Sequence, residues 1–559
     1  MSRGPNWLVP PKWGNSSGGS WKRDKRMAEK ILIYDTTLRD GSQGEGISLS
    51  VEDKLKIASR LDRLGVDYIE GGWPWANPKD MEFFLRAREV IWRQARLVAF
   101  GRTRKPGQAA AEDANLLAIK RAGVKVATIF GKSWDLHVTA ALGTTLAENL
   151  AMIGDSVAFL VDQGLEVIYD AEHFFDGFKA NPDYALETLK AAAKAGASWI
   201  VLCDTNGGCL PWEIEEAVAR VRQEIQVPVG IHAHNDGDLA VANTLAAVTA
   251  GCRQVQGTIN GFGERCGNAD LCSVMPNLEL KMGYQCLPPG QLAFLTEVSR
   301  YVSEIANVVP AGNQPFVGYS AFAHKGGIHV SAVLKAPDTY EHIRPQQVGN
   351  ERRVLMSDQA GASNLRCKAE EMGLELNPER ERGIIEGIKE LERQGYQFEG
   401  ADASLELFLR KTTGEYRQQF EVEYVKALVE KRAGQEAISE AIVKLRVGDQ
   451  VVHTAAEGNG PVNAMDNALR KALEEVFPAI RHMRLTDYKV RVLDEKDATS
   501  ARVRVLIESR DGSNSWNTVG VSTNIIEASW EALLDSMEYA LLKQQQELNK
   551  RAAVPGEPY

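Results

Sequence analysis

Short apolar runs recur at regular intervals through the first half of the chain. They fall at residues 31–34, 68–71, 97–100, 126–130, 165–169, 199–203, 229–232 and 254–259. Each has the length of a buried strand. The stretches between them carry apolar residues at helical spacing, as in Leu55, Ala58, Leu61 and Leu64 ahead of Gly65. Strands joined by helical crossovers run parallel, and eight is the number that closes a (β/α)8 TIM barrel. A doubly wound open sheet is the alternative. The expectation is an α/β chain with its barrel at 31–290.

The pattern changes after the eighth run. Residues 291–396 read as helical linker subdomains, with amphipathic spacing clearest at 380–391. Beyond 397 come alternating, β-rich runs at 420–425, 441–447 and 502–507, and amphipathic helical stretches at 463–477 and 524–542. A repeat shows at an offset of 64: Gly448 matches Gly512, Thr454 matches Thr518, and Ala468-Leu469 match Ala532-Leu533. Two βα-type copies imply a pseudo-symmetric C-terminal α+β domain at 397–545, each copy covering the other's apolar face. Residues 1–30 hold seven Lys/Arg against two acids with no apolar period, a composition expected of a disordered basic arm; Met27 offers a second start. Residues 546–559 read as a flexible tail.

Composition narrows the function classes. A chain of 559 residues is too long for one ordinary domain. A net charge of -10 argues against general nucleic-acid binding, and no uninterrupted apolar stretch is long enough to span a membrane. Seven Cys without a CxxC pair make a poor disulfide framework, so a reducing cytoplasm is expected.

The chemistry gathers just past the strands, where barrel enzymes place it. After the first come Asp35, Arg39, Asp40 and Gln43; after the second, Glu70; after the fifth, Asp170 and Glu172; after the sixth, Asp204 and Thr205. The seventh run ends in His232 and His234, two imidazoles on the same side of a strand. Two imidazoles with a carboxylate from Asp40 suit a catalytic divalent ion, and Asn268 adds a neutral oxygen. Such mixed ligation admits Mg2+, Mn2+, Co2+ or Zn2+. Arg39, beside Asp40, can stabilise developing negative charge.

Three segments carry a resemblance: 35–43 (Asp-Thr-Thr-Leu-Arg-Asp-Gly-Ser-Gln), 232–236 (His-Ala-His-Asn-Asp) and 261–268 (Gly-Phe-Gly-Glu-Arg-Cys-Gly-Asn). Together they resemble the signatures of the alpha-isopropylmalate/homocitrate/citramalate synthase family, from residue 31 to the C-terminus. Segments 70–74 and 169–177 are similar to its citramalate branch. The resemblance implies a Claisen condensation: the enolate of acetyl-CoA attacks the ketone of a 2-oxo acid, pyruvate in that branch, and thioester hydrolysis releases CoA. It implies that Asp40, His232, His234 and Asn268 hold the metal, and that Arg39, Gln43 and Thr205 contact the substrate. Glu172 supports an acid/base pair of His329 and Tyr340, with His324 left to a structural or substrate-contact role. That segment serves the partner subunit in relatives, so a homodimer is implied. The C-terminal domain is expected to bind the pathway's end product, isoleucine.

Substrate choice stays open at this level. Trp73, Trp75 and the Phe174-Phe175 pair are bulky enough to shorten a pocket, while Arg102 or Lys132 could serve the distal carboxylate of 2-oxoglutarate. Isopropylmalate synthase and homocitrate synthase remain alternatives. From other classes, so do a carbon–carbon lyase on the same barrel and a silent amino-acid sensor.

Overall fold

The computed structural model describes residues 29–493, 501–512 and 514–553. Nearly all of the expected N-terminal arm, and residues 554–559 of the expected tail, lie outside them. The chain forms two compact units, one running to Ala321 with Gln346–Asn350, the other Phe322–Pro345 with everything from Glu351 on.

In the first unit eight parallel strands close into a barrel: β1 (Leu32–Asp35), β2 (Tyr68–Gly72), β3 (Arg96–Arg102), β4 (Val126–Lys132), β5 (Glu166–Glu172), β6 (Trp199–Asp204), β7 (Val229–Ala233) and β8 (Gln254–Gly257). Closure is the pairing of Leu32–Asp35 with Gln254–Gly257 in one register. Every expected run falls on a strand. β3, β4 and β5 extend past the apolar run and carry polar residues up to the mouth. β8 stops short of 259: Thr258 bridges instead to Asp270, and the chain then turns into the short helix Ile259–Gly261.

The surrounding helices show how local sequence sets boundaries. In Val51–Leu64, Ser50 and Asp53 form a reciprocal capping box, and Gly65 ends the helix at φ 93°. Its buried face (Ile57, Ala58, Leu61, Leu64) covers the barrel, at about 1.5–3 kcal/mol for each large aliphatic side chain. Tyr34, Tyr68, Val98, Val126, Ile168, Val201 and Cys203 fill the interior as one cluster. This unit continues past residue 290: helix Leu295–Ile305 buries Leu295, Val298 and Val302, and Glu297 pairs with Arg60 at 2.5 Å. An amphipathic helix needs a surface to cover its apolar stripe, and the barrel provides it.

The second unit begins where helical linkers were expected, and two short strands correct that reading. β9 (Ala323–His324) and β10 (Arg353–Val354) pair in parallel. Helices Ala362–Glu371, Pro378–Gln394 and Asp402–Thr413 share a core that includes Leu365, Ile384, Ile388, Phe398, Leu405 and Leu409. The repeated module then follows as two three-stranded antiparallel sheets, β11 (Glu421–Glu430), β12 (Ile438–Val447) and β13 (Gln450–Gly458), then β14 (Met483–Val492), β15 (Val503–Asp511) and β16 (Asn514–Ser522). Each copy therefore has three strands, and its helix comes next: Pro461–Leu473 and Ile525–Ala553.

The offset of 64 is structural. Val447 pairs with Gln450 and Asp511 with Asn514, so each hairpin turns over two residues. Gly448 and Gly512 take φ 58° and 56° there, a conformation that glycine adopts without strain. Thr454 donates its hydroxyl to the Ala468 carbonyl at 2.8 Å, and Thr518 donates to Ala532 at 2.7 Å. The last helix overruns the expected tail boundary at 545, because no helix breaker occurs before Pro555. Among the described residues, no helix is long and apolar enough to cross a membrane.

Candidate active site

The β-strand ends bring the expected residues of the first unit together. Arg39, Asp40, Gln43, Glu172, Thr205, His232 and His234 all line one cavity of about 230 Å³ at the barrel mouth. Asp40 Oδ2 lies 3.5 Å from His232 Nε2 and 4.0 Å from His234 Nε2. The two Nε2 atoms are 3.3 Å apart. Two ring nitrogens that face each other this closely need a cation or a proton between them, and nitrogens bound to one ion at about 2.1 Å stand roughly 3 Å apart. Asp40, His232 and His234 are the only such three-residue group among the described residues.

The electrostatics fit the same occupant. Burial pushes the Asp40 carboxyl up, but the Arg39 guanidinium and then the two imidazoles outweigh it and hold it at about 2. Burial lowers His232 to about 3, helped by His234, and lowers His234 as well. At neutral pH one carboxylate and two uncharged imidazoles therefore converge, which is the protonation state metal ligation requires. Asp40 Oδ1 and Asn268 Oδ1 are buried and have no partner within the protein. Asn268 is bridged to His234 through the backbone, and its amide nitrogen donates to the Phe262 carbonyl. Asn268 itself lines a separate cavity, with Asn260, Phe262 and Asp270, and not the one lined by Asp40 and the two histidines.

Arg39 is held from several sides. Its Nε donates to Glu70 Oε1 at 2.6 Å, its Nη1 lies 3.2 Å from Asp40 Oδ2, and its guanidinium sits 3.8 Å over the Phe100 ring. Burial opposes the Arg39 charge, but Glu70 and Asp40 together keep it protonated beyond its ordinary range. Glu70 in turn accepts from Tyr34 Oη at 2.6 Å.

A second clamp shapes the substrate side. Arg265, at φ 57°, donates Nε and Nη2 to the two carboxylate oxygens of Asp236 at 2.7 and 2.9 Å, and Nη2 also to the Thr205 carbonyl at 2.8 Å. The loops after β6, β7 and β8 are thus pinned together. Thr205 Oγ1 accepts from the His173 amide at 2.9 Å, which leaves its hydroxyl proton to donate elsewhere. Trp73, Phe100 and Phe130 wall the cavity; the two phenyl rings stack at 5.4 Å and Trp73 meets both edge-on.

These walls correct three expectations. Trp73 lines the cavity, but Trp75 is 43% exposed and is not part of it, and Phe174 and Phe175 are buried in the protein core. Arg102 is engaged by Asp113 at 3.2 Å and Lys132 by Glu172, so neither offers a free charge to the cavity. Phe100 and Phe130 were missed because an apolar strand run does not show which residue is the last to point inward. Gln256 and the pocket role of Asp170 were missed as well.

His329 and Tyr340 belong to the second unit. Their rings lie 4.3 Å apart on an exposed surface, so the expected pair is adjacent. His324 is buried and faces Glu341 Oε1 at 3.3 Å, and Arg352 binds the same carboxylate through two nitrogens. His324 and Arg352 thus share the Glu341 carboxylate.

Three family models match successive stretches of the chain. The HMGL-like family model matches residues 30–302, the homocitrate synthase post-HMGL domain-like model 316–396, and the LeuA allosteric (dimerisation) domain 399–541. The (R)-citramalate synthase of Aquifex aeolicus is 55% identical over 93% of this chain and 99% of its own length. The chain belongs to the alpha-isopropylmalate/homocitrate/citramalate synthase family. The (R)-citramalate synthase of Geobacter sulfurreducens is 54% identical, covering 92% of this chain and 98% of its own. A probable 2-isopropylmalate synthase of Methanopyrus kandleri is 35% identical, covering 91% and 98%. Within the synthase family the chain stands with the (R)-citramalate synthases. Members of this family are metal-dependent transferases that condense acetyl-CoA with a 2-oxo acid.

Proposed function

We propose that this chain is an (R)-citramalate synthase that joins the acetyl group of acetyl-CoA to the ketone of pyruvate. The observation that carries the reading is identity of 49–55% with five (R)-citramalate synthases over nearly the whole chain. The cavity supports it. At about 230 Å³ and walled by three aromatic rings, it is smaller than the roughly 300–1,000 Å³ typical of larger ligands. It suits a methyl group better than a branched side chain. With Arg102 and Lys132 both engaged by carboxylates, a second carboxylate on the substrate finds no ready partner.

Asp40, His232, His234 and Asn268 are the residues that hold the divalent ion. When bound, the ion supplies Lewis acidity at the ketone. Arg39, pre-oriented by Glu70, faces the oxygen on which negative charge develops. Thr205 donates to the substrate carboxylate, and Gln43 closes the cavity beside it. His329 and Tyr340, reaching the site from the partner subunit of a homodimer, move the proton from the acetyl methyl group, with Glu172 in support. The new bond joins that methyl carbon to the pyruvate carbonyl carbon; water then adds to the thioester and CoA leaves as a thiol. The C-terminal module binds isoleucine, in keeping with the LeuA allosteric model that matches it. The reaction takes place in the cytoplasm.

The test is thiol release from acetyl-CoA with pyruvate, a branched 2-oxo acid and 2-oxoglutarate, with and without isoleucine. Release is expected chiefly with pyruvate, and inhibition with isoleucine. A preference for either other acid overturns the substrate assignment, and no release with any acid overturns the synthase reading for this chain.

A further inference from the structure

We infer that Gln256, anchored by Asp170, is a positioning residue that sets which nitrogen of His232 faces the ion site. The inference rests on the metal reading above and adds to it a buried relay running across the barrel interior. Gln256 on β8 is fully buried, and its side chain bridges β7 and β5. Its amide nitrogen donates to Asp170 Oδ1 at 3.0 Å, and its amide oxygen lies 3.0 Å from His232 Nδ1.

An amide has one donor end and one acceptor end, so fixing one end fixes the other. Asp170 takes the donor. The acceptor is then left for His232, whose Nδ1 must carry the proton. The lone pair consequently sits on Nε2, the nitrogen facing Asp40 and His234. Burial raises the Asp170 carboxyl well above its ordinary range, and Oδ1 can accept from the amide in either charge state.

Two comparisons within the molecule single out this relay. His234 lacks such support, since its Nδ1 is buried with no partner. Gln254, two residues earlier on the same strand, is equally buried, yet both of its amide ends are unpartnered. Only Gln256 has a partner at each end, and one of those partners is a proposed ligand. Asp170 also lines the cavity, so the relay links its wall to the metal ligands.

The experiment is titration of the chelator-stripped, full-length protein with Co2+, read by visible absorption and calorimetry, for the wild type, His234→Ala, Gln256→Leu, Gln256→Glu, and Gln256→Glu combined with Asp170→Asn. One tight Co2+ per wild-type chain and its loss in His234→Ala are expected. Gln256→Leu should weaken binding by about 10–100-fold, the usual cost of losing a partner of a ligating histidine. Gln256→Glu alone leaves two acids sharing one proton, so the donor–acceptor order is no longer fixed, and it serves as the reference for the double variant. The double variant restores a donor facing an acceptor, and its affinity should return to within about threefold of wild type. Circular dichroism establishes that each variant is folded; if Gln256→Leu is not, the reciprocal swap decides.

Wild-type affinity in Gln256→Leu, with binding lost in His234→Ala, overturns the relay and leaves the metal reading standing. Failure of the swap to rescue also overturns it, because a merely structural role would be damaged by both changes. A wild-type protein that binds no Co2+, or a His234→Ala protein that binds it as well as wild type does, overturns both readings together.

Discussion

The barrel and the C-terminal module are both built by repetition, and they use it in opposite ways. In the module, the residues that recur are structural: Gly448 and Gly512 turn the hairpins, and Thr454 and Thr518 tie strand to helix. The barrel repeats its strand–helix unit eight times, yet its paired histidines come from the end of β7 alone and its Arg39–Asp40 pair from the loop after β1. Its charged network of Tyr34, Glu70, Arg39 and Asp40 is buried on one side of the mouth. Apolar Ala441, Val443, Leu445, Val505 and Ile507 fill the module's core. Positions that obey the repeat hold the fold, and positions that break it do the chemistry.

The largest effect that would sharpen this contrast is at His234. His234→Ala should abolish turnover and divalent-ion binding, measured by thiol release and metal stoichiometry, and leave thermal unfolding of the module unchanged. Retained activity and metal content would break the ligand assignment. Arg39→Lys keeps the charge and loses the fork that spans Glu70 and Asp40. A fall in kcat of about 10²–10³ is expected with little change in metal affinity; parallel losses in both would make Arg39 structural. Phe130→Ala opens the aromatic wall. The ratio of kcat/KM for a branched 2-oxo acid over pyruvate should rise by roughly 10–100-fold, in line with about 1–3 kcal/mol per methylene of fit, and an unmoved ratio would place the specificity wall elsewhere.

Smaller effects probe the module. Thr454→Val should cost about 1 kcal/mol, and Thr518→Val, at a fully buried site, up to about 2 kcal/mol. Denaturant titration measures both, and turnover at saturating substrate should not change. Activity loss greater than stability loss would show that repeat positions are not purely structural. The smallest effect concerns pH. Burial raises Asp535 to about 6, although Ser404 donates to it at 2.6 Å. A carboxyl whose folded pKa is raised contributes stability below its unfolded pKa near 4, and that stability is lost as pH climbs through 6. Tm of the module should therefore fall between pH 4 and 7, and Asp535→Asn should flatten that fall; an unchanged slope would exclude Asp535 as its source.

By itself the sequence determined much of this. Runs of strand length, at intervals long enough for a helix, mark all eight barrel strands; most are apolar because a parallel strand in a barrel is buried on both faces, while β2 and β8 also bury Glu70, Gln254 and Gln256. The alternation in His-Ala-His puts two rings on one side by backbone geometry alone. The repeat at 64 is legible because glycine and threonine recur where a turn and a helix contact require them. Tertiary structure alone decided which of two similar residues does which job. Phe100 and Phe130 line the cavity while Phe174 and Phe175 are core, and Gln256 is partnered while Gln254 is not. Arg102 and Lys132 turned out to be neutralised by Asp113 and Glu172. The reason is physical. Periodicity along a chain reports which side a residue faces, whereas the partner it meets there comes from a strand dozens of residues away, and only barrel closure brings the two within a hydrogen bond's length.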